Sequence, residues 1–169
     1  PNLHYKVNIQ GTESLLRAAM AAGVEKVVYT SSVAAIGIAE PGQLATEETA
    51  FNGWTYASDY IFSKYIAHQL VKGLVLEGLP AVLVLPGLPF GPGDRMPTPT
   101  GTMIINTLQG KMKNYWQGGI CAVDVRDVAT GHVLAMEKGD IGESYILANA
   151  EGNFSNRDFL QDRKSTRLN

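Results

Sequence analysis

Hydrophobic positions along the chain follow two spacings, one typical of amphipathic helices and the other of buried strands. Apolar side chains recur every three or four residues over 5–22, just before Gly23, and again over 56–77, which predicts two helices. Short apolar runs rich in β-branched residues predict buried strands at 26–30 and 81–85. Helices that alternate with buried strands predict a parallel α/β sheet.

The second half of the chain continues this alternation in shorter elements. Residues 86–101 contain five prolines and four glycines, so we expect an irregular segment at the carboxyl end of a strand, where open α/β sheets bind ligands. A second irregular stretch, 37–54, is long enough to indicate a functional loop. Helices are expected near 103–109 and 126–138, and strands near 120–123 and 145–147.

Composition narrows the class of protein. The 169 residues are 45% hydrophobic, enough to build one core, and carry a net charge of −2. That charge provides no basic surface for nucleic acid or an anionic membrane, and the longest apolar runs are too short to span a bilayer. The single cysteine, Cys121, cannot form an internal disulfide, which fits a reducing compartment. We therefore expect a cytoplasmic protein that binds neither nucleic acid nor membrane.

The two ends of the chain depart from the pattern of the rest. The sequence lacks an initiating methionine and enters its first helix almost at once. Residues 162–169 show no hydrophobic period, and their codons would resemble a common sequencing adapter, so we set them aside as an artefact. We expect residues 1–161 to be a partial domain from a longer reading frame, truncated at its amino terminus.

Candidate chemistry centres on Tyr60 and Lys64, which lie four residues apart in the second predicted helix and therefore share a face. A lysine so placed can lower the pKa of a phenol, which lets the phenol move protons at neutral pH. Ser31 and Ser32 follow the first predicted strand, and a serine hydroxyl there can hold a substrate oxygen. The alternative is an amphipathic helix with a packed tyrosine and a solvated lysine.

Other chemistries find less support in the sequence. The histidines His4, His68 and His132 lack metal-ligand spacing, so no metal site is predicted. His68 is expected to be a supporting or surface residue, one helical turn beyond the lysine. We expect Tyr115 and Trp116 to pack rather than to line a substrate pocket. The glycine-flanked serine of α/β hydrolases is absent from the sequence, so a serine hydrolase is not indicated.

Six short motifs occur in an order that resembles the extended short-chain dehydrogenase/reductase superfamily, the NAD-dependent epimerase/dehydratase family. They lie at 7–12, 28–32, 60–64, 85–87, 90–94 and 123–129. Dihydroflavonol-reductase-like proteins and hopanoid-associated sugar epimerases are the most similar branches. The resemblance implies an α/β fold, the C-terminal part of a Rossmann-type doubly wound parallel sheet. It also implies a small substrate-binding region at about 88–124 and 140–161.

The resemblance implies a role for each matching residue. Tyr60 would be the general acid/base, Ser32 would bind the substrate oxygen, and Lys64 would bind the nicotinamide ribose. The implied cofactor is NAD or NADP, and Ser31 would be structural. Asn8 would lie near the nicotinamide or support a proton-relay water. The remaining residues expected to line the cofactor pocket are Pro86, Gly87 and Leu88.

The implied function is hydride transfer between nicotinamide and a carbinol or ketone carbon of a small molecule. The substrate would be a nucleotide sugar for an epimerase, or a ketone or aldehyde for a net reductase. Ser32-Val33-Ala34 stands where sugar dehydratases of the family carry Thr-Asp-Glu, which disfavours dehydration. The family's glycine-rich cofactor turn has no counterpart in this sequence, so the fragment by itself is expected to be inactive.

Two further expectations follow from the same resemblance. The alternative function is a cofactor-sensing protein that binds NAD(P) without turnover. The family often dimerises through paired helices, so a homodimer is possible through the helices at 5–22 and 56–77.

Overall fold

The computed structural model describes residues 2–111 and 118–161. Residues 162–169, and with them the adapter interpretation, lie outside the described residues, as do Tyr115 and Trp116. The chain divides into two compact units. The first unit comprises residues 2–86 and 131–146, and the second unit comprises the remaining described residues.

Helices and strands alternate along most of the chain. Helix α1 consists of three consecutive stretches, Leu3–Tyr5, Lys6–Gly11 and Thr12–Ala21, of which the middle one is π-helical. The other helices are α2 (Asp59–Leu76), α3 (Pro99–Leu108), α4 (Val125–Lys138) and α5 (Asn156–Gln161). The strands are β1 (Val27–Thr30), β2 (Ala81–Pro86), β3 (Leu88–Phe90), β4 (Gly119–Asp124), β5 (Ser144–Leu147) and β6 (Asn153–Ser155). Short 3₁₀ helices span Val33–Ala35 and Ala150–Gly152.

The two long helices end where the sequence predicts. Gly23 and Gly78 follow α1 and α2 in the left-handed conformation, with φ of 69° and 105°, which favours glycine at these positions. Helix α2 begins after Ser58, whose hydroxyl oxygen accepts a hydrogen bond from the backbone N–H of Ile61. These signals determine the residues at which α2 begins and ends, and therefore which side chains share a face of the helix.

A parallel sheet in the order β1-β2-β5 organises the first unit. β1 pairs in parallel with β2, with Val27 opposite Ala81. All six residues of β2 are buried, which explains its unbroken apolar run and confirms the expected parallel α/β class. The buried cluster of this unit contains Leu16, Val71, Leu74, Leu79, Ala81, Leu83 and Leu85.

A second small sheet, in the order β3-β4-β6, organises the second unit. The expectation of an irregular 86–101 is wrong at Leu88–Phe90, because β3 pairs in parallel with β4. β3 lies at an edge of the described sheet, where Pro89 is tolerated. Helix α3 also begins earlier than predicted, because Pro99 suits the first turn of a helix. The sequence patterns did not predict β6 or α5.

Two features are absent from the described residues. In residues 2–111 and 118–161, no helix is both long and apolar enough to cross a membrane. The same residues contain no group of three or more His, Cys, Asp or Glu side chains that could hold a metal ion.

Candidate functional site

Lys64 lies on the second turn of α2 with its side chain partly buried. Burial lowers the pKa of its ammonium group, because the charged form loses hydration. Within the part of the chain that the structure describes, this ammonium has no hydrogen-bond or ion-pair partner. A partly buried cation with three unused N–H donors is suited to bind hydroxyl groups of a ligand.

Tyr60 lies one turn before Lys64 and is 42% exposed. Its ring makes an edge-to-face contact with the imidazole of His4, with 5.7 Å between ring centroids and an interplanar angle of 72°. The ring is thus held from one side while much of its surface remains accessible. The structure therefore disfavours the packed-tyrosine alternative.

Asn8 connects α1 to the turn of α2 that carries Tyr60. Its Nδ2 donates a hydrogen bond to Ser63 Oγ at 2.9 Å, and Ser63 Oγ donates to the backbone carbonyl of Tyr60 at 2.7 Å. Asn8 belongs to the π-helical stretch of α1, a type of helix that is frequent at functional sites. The structure thus places Asn8 in a helix–helix contact, and its predicted role toward the cofactor stays a prediction.

Ser32 begins the 3₁₀ helix at Val33–Ala35, and its Oγ accepts a hydrogen bond from the backbone N–H of Ala34 at 3.1 Å. This bond occupies a lone pair of the hydroxyl and leaves its proton available. The 3₁₀ helix packs against α2. The element that carries Ser32 therefore contacts the element that carries Tyr60 and Lys64.

Pro86, Gly87 and Leu88 follow one another at the junction of β2 and β3. Pro86 is the last residue of β2, and Leu88 is the first residue of β3. Gly87 is buried, and a Cβ atom there would lie 2.5 Å from the carbonyl oxygen of Cys121. The absence of a side chain at Gly87 therefore permits close strand packing, whatever its part in binding a cofactor.

The predicted functional loop, 37–54, is anchored at two points of the first unit. Glu47 Oε1 accepts a hydrogen bond from the backbone N–H of Ile146 in β5 at 2.7 Å. Phe51 stacks on Tyr65 of α2, with 4.3 Å between ring centroids. No local signal in the sequence predicted either contact, since each joins residues that are distant along the chain.

His68 was expected to be a supporting or surface residue, and the surface alternative is wrong. It is only 4% exposed, and its Nδ1 lies 2.9 Å from Ser31 Oγ, which is 3% exposed. Burial, followed by the charge of Lys72, lowers the pKa of His68 to about 4, so the ring is neutral at pH 7. The only sequence signal was its position one helical turn after Lys64.

The second unit contains a cleft of about 510 Å³. Its lining is mostly apolar and comes from β3, from α3, from the segment between them and from Val125 at the start of α4. The described lining carries one charged side chain, Asp94, whose carboxylate accepts hydrogen bonds from the backbone N–H and the hydroxyl of Thr98. The size suits a small organic molecule.

The model of the NAD dependent epimerase/dehydratase family matches residues 1–148. The chain therefore belongs to this family, which confirms the resemblance drawn from its motifs.

Individual proteins are similar over most of this chain. It is 43% identical over 135 residues to a Synechocystis sp. protein named as a dihydroflavonol 4-reductase, which covers 80% of this chain and 39% of that protein. Its fold is similar to that of a nucleoside-diphosphate-sugar epimerase from Pseudomonas aeruginosa, with a TM-score of 0.85 and 25% identity over 98% of this chain and 54% of that one. It is also similar to the Thermus thermophilus UDP-glucose 4-epimerase in complex with NAD, with a TM-score of 0.78 and 25% identity over 95% of this chain and 54% of that one.

These similarities confirm the expected Rossmann-like α/β fold. The chain spans 39% of the length of the Synechocystis relative and about half of each of these two epimerases.

Two polar side chains of the first unit have the chemistry needed to bind the cofactor that gives this family its name. Lys64 offers unused donors of the kind that ribose hydroxyls accept, and Tyr60 one turn away is accessible from solvent. In the described residues, neither the Lys64 ammonium nor the Tyr60 hydroxyl makes a hydrogen bond or an ion pair.

Proposed function

We propose that this chain carries the catalytic residues of an NAD(P)-dependent oxidoreductase or epimerase. The enzyme would move hydride between nicotinamide and a carbinol or ketone carbon, with Tyr60 as general acid/base. The observation that carries the proposal is the pairing on α2 of an accessible phenol with a partly buried lysine that has no other partner in the described residues. The Ser32 turn packs against the same helix.

The cofactor would supply a nicotinamide ring that accepts or returns hydride. Lys64 would hold ribose hydroxyls, and Asn8, Pro86, Gly87 and Leu88 would complete the pocket. Ser32 would donate its hydroxyl proton in a hydrogen bond to the substrate oxygen, because its Oγ lone pair already accepts from Ala34.

Tyr60 would take the proton from a substrate alcohol during oxidation and return it to the substrate oxygen during reduction. Lys64, one helical turn away on the same helix, would hold the nicotinamide ribose beside the phenol.

The cleft of the second unit favours a net reductase over a nucleotide-sugar epimerase. A diphosphate needs cationic or N–H donors, whereas the described lining is mostly apolar and its one charge, on Asp94, is negative. An uncharged ring-bearing ketone or aldehyde suits such a lining. The assignment of 88–124 and 140–161 to substrate binding is part of this proposal.

The test is Tyr60→Phe in the full open reading frame that encodes this chain. The probes are NADPH oxidation by a dihydroflavonol and epimerisation of UDP-glucose, the substrates suggested by the names of the similar proteins. We expect kcat to fall by roughly a hundredfold or more, because the general acid/base is lost. NADPH affinity, measured by fluorescence titration, should change by less than about threefold.

Tyr65→Phe is the matched control, because it makes the same chemical change on the same helix in a ring that stacks on Phe51. Its kcat should equal that of the wild type. Undiminished turnover by Tyr60→Phe would overturn the proposal. Tight NADPH binding without turnover of either probe would favour the cofactor-sensing alternative.

A further inference from the structure

We propose that His68 is a positioning residue for this reaction. Through its buried hydrogen bond to Ser31, it fixes the strand end that carries Ser32 against the helix that carries Tyr60 and Lys64. This inference rests on the proposed function, because it concerns the placement of Ser32 relative to the residues of α2.

The bond between Ser31 and His68 joins two different elements of the first unit. Ser31 Oγ and His68 Nδ1 are 2.9 Å apart, and both residues are more than nine-tenths buried. A buried hydroxyl that loses its partner keeps the full desolvation cost, so this pair resists separation. The bond thereby ties the chain just after β1 to α2.

Ser31 is held from the sheet side as well. Its backbone N–H donates to the carbonyl of Val84 in β2 at 2.8 Å, so the residue bridges the central strand and α2. Ser32 is the next residue, and its own Oγ bonds only within its turn among the described residues, to the N–H of Ala34. The bonds of Ser31 therefore tie the residue that precedes Ser32 to both β2 and α2.

A neutral imidazole suits this position on α2. Lys72 lies one helical turn after His68, so its charge would repel a charged imidazole. Burial and the Lys72 charge keep the ring neutral at pH 7. A neutral ring holds Ser31 without adding a charge beside Lys64.

Two measurements test the inference in the full open reading frame. The first is hydrogen exchange at the Ala34 amide, which reports the Ser32 turn whether or not a substrate turns over. We expect His68→Ala to accelerate this exchange by tenfold or more. The second is kcat with the probes named above, which should fall tenfold or more with NADPH affinity within about twofold of the wild type.

Rescue and coupling separate positioning from general stability. His68→Asn keeps a polar group one carbon from Cβ and should restore most of kcat. Ser31→Ala combined with His68→Ala should be no worse than His68→Ala alone, because both remove one bond. Val71→Ala, which opens a cavity in the same buried face, should lower Tm but leave kcat and Ala34 exchange within about twofold.

The failure of this inference differs from the failure of the proposed function. Unchanged Ala34 exchange in His68→Ala, or fully additive effects of the two substitutions, would overturn the inference even if Tyr60→Phe is inactive. Full turnover by Tyr60→Phe would overturn the proposed function whatever His68 does. If His68→Ala does not fold, Ser31→Ala removes the same bond and provides the exchange comparison, with His68→Asn as the variant that should keep wild-type exchange.

Discussion

His68 shows how burial changes the chemistry of one side chain. The pKa of this histidine is about 4, below its ordinary value of 6.5, because burial and the Lys72 charge oppose the proton. At pH values between about 4 and 6.5, His68 is protonated in the unfolded chain and neutral in the folded chain. The free energy of unfolding therefore falls as the pH falls through this window, and the full contribution is present above pH 6.5.

We predict that the free energy of unfolding of the wild type falls by about 2 kcal/mol more than that of His68→Gln when the pH is lowered from 7 to 5. Glutamine serves as the reference because its side chain does not titrate. Urea unfolding at both pH values measures the difference. Carboxylates titrate in both proteins and cancel in the comparison. Equal losses in the two proteins would show that His68 carries no linked proton.

Helical spacing predicts that Tyr60 and Lys64 share one face of α2, whereas the roles proposed for them rest on the family resemblance. The sequence could not reveal that His68 on the same helix is buried, since that depends on where the end of β1 packs. The bond from Ser31 spans 37 residues. Side-chain partners of this kind are set by the sheet and leave no local signal.

Long periodic elements and the four-residue strands were predicted well, and the three-residue strands were not. Helix α2 and strand β2 carry enough apolar residues to show their period and end at clear stop signals. Strands β3 and β6 have three residues each, too few to show alternation, and exist because β4 pairs with both. Their formation depends on pairing between distant segments, which the local pattern does not record.

The start of α2 controls where Tyr60 lies. Ser58 Oγ accepts from the N–H of Ile61, and Tyr60 occupies the turn that this bond closes. We predict that Ser58→Ala lowers the free energy of unfolding by about 1 kcal/mol, measured by urea denaturation. It should also lower kcat by fraying the turn.

Two variants control this prediction. Ser58→Asp keeps a side-chain acceptor and should retain the stability and kcat of the wild type. Thr98→Ala removes the corresponding bond to Gly101 N–H at the start of α3, in the second unit. It should lower stability without fraying the turn of Tyr60. If Ser58→Ala has the same free energy of unfolding as the wild type, the Ser58 cap does not contribute to stability.

Helices α1 and α2 are joined by polar contacts yet expose apolar side chains. Arg17 pairs with Glu77 at 2.9 Å, and Asn8 bonds to Ser63, so the two helices form one surface. Leu15 of α1 is 70% exposed and Leu76 of α2 is 90% exposed. A second molecule that covered these side chains would remove their apolar surface from water.

We predict that a second copy of the chain covers this helix pair, the surface through which the family resemblance allows a homodimer. Sedimentation equilibrium of the full open reading frame should give a dimer at micromolar concentration. Leu15→Glu should dissociate it, because a carboxylate would be buried in the interface without a partner. Leu44→Glu is the control, since Leu44 is 66% exposed in the 37–54 loop, away from both helices in sequence. A wild-type monomer at tens of micromolar, or a dimer that survives Leu15→Glu, would show that the helix pair is not the interface.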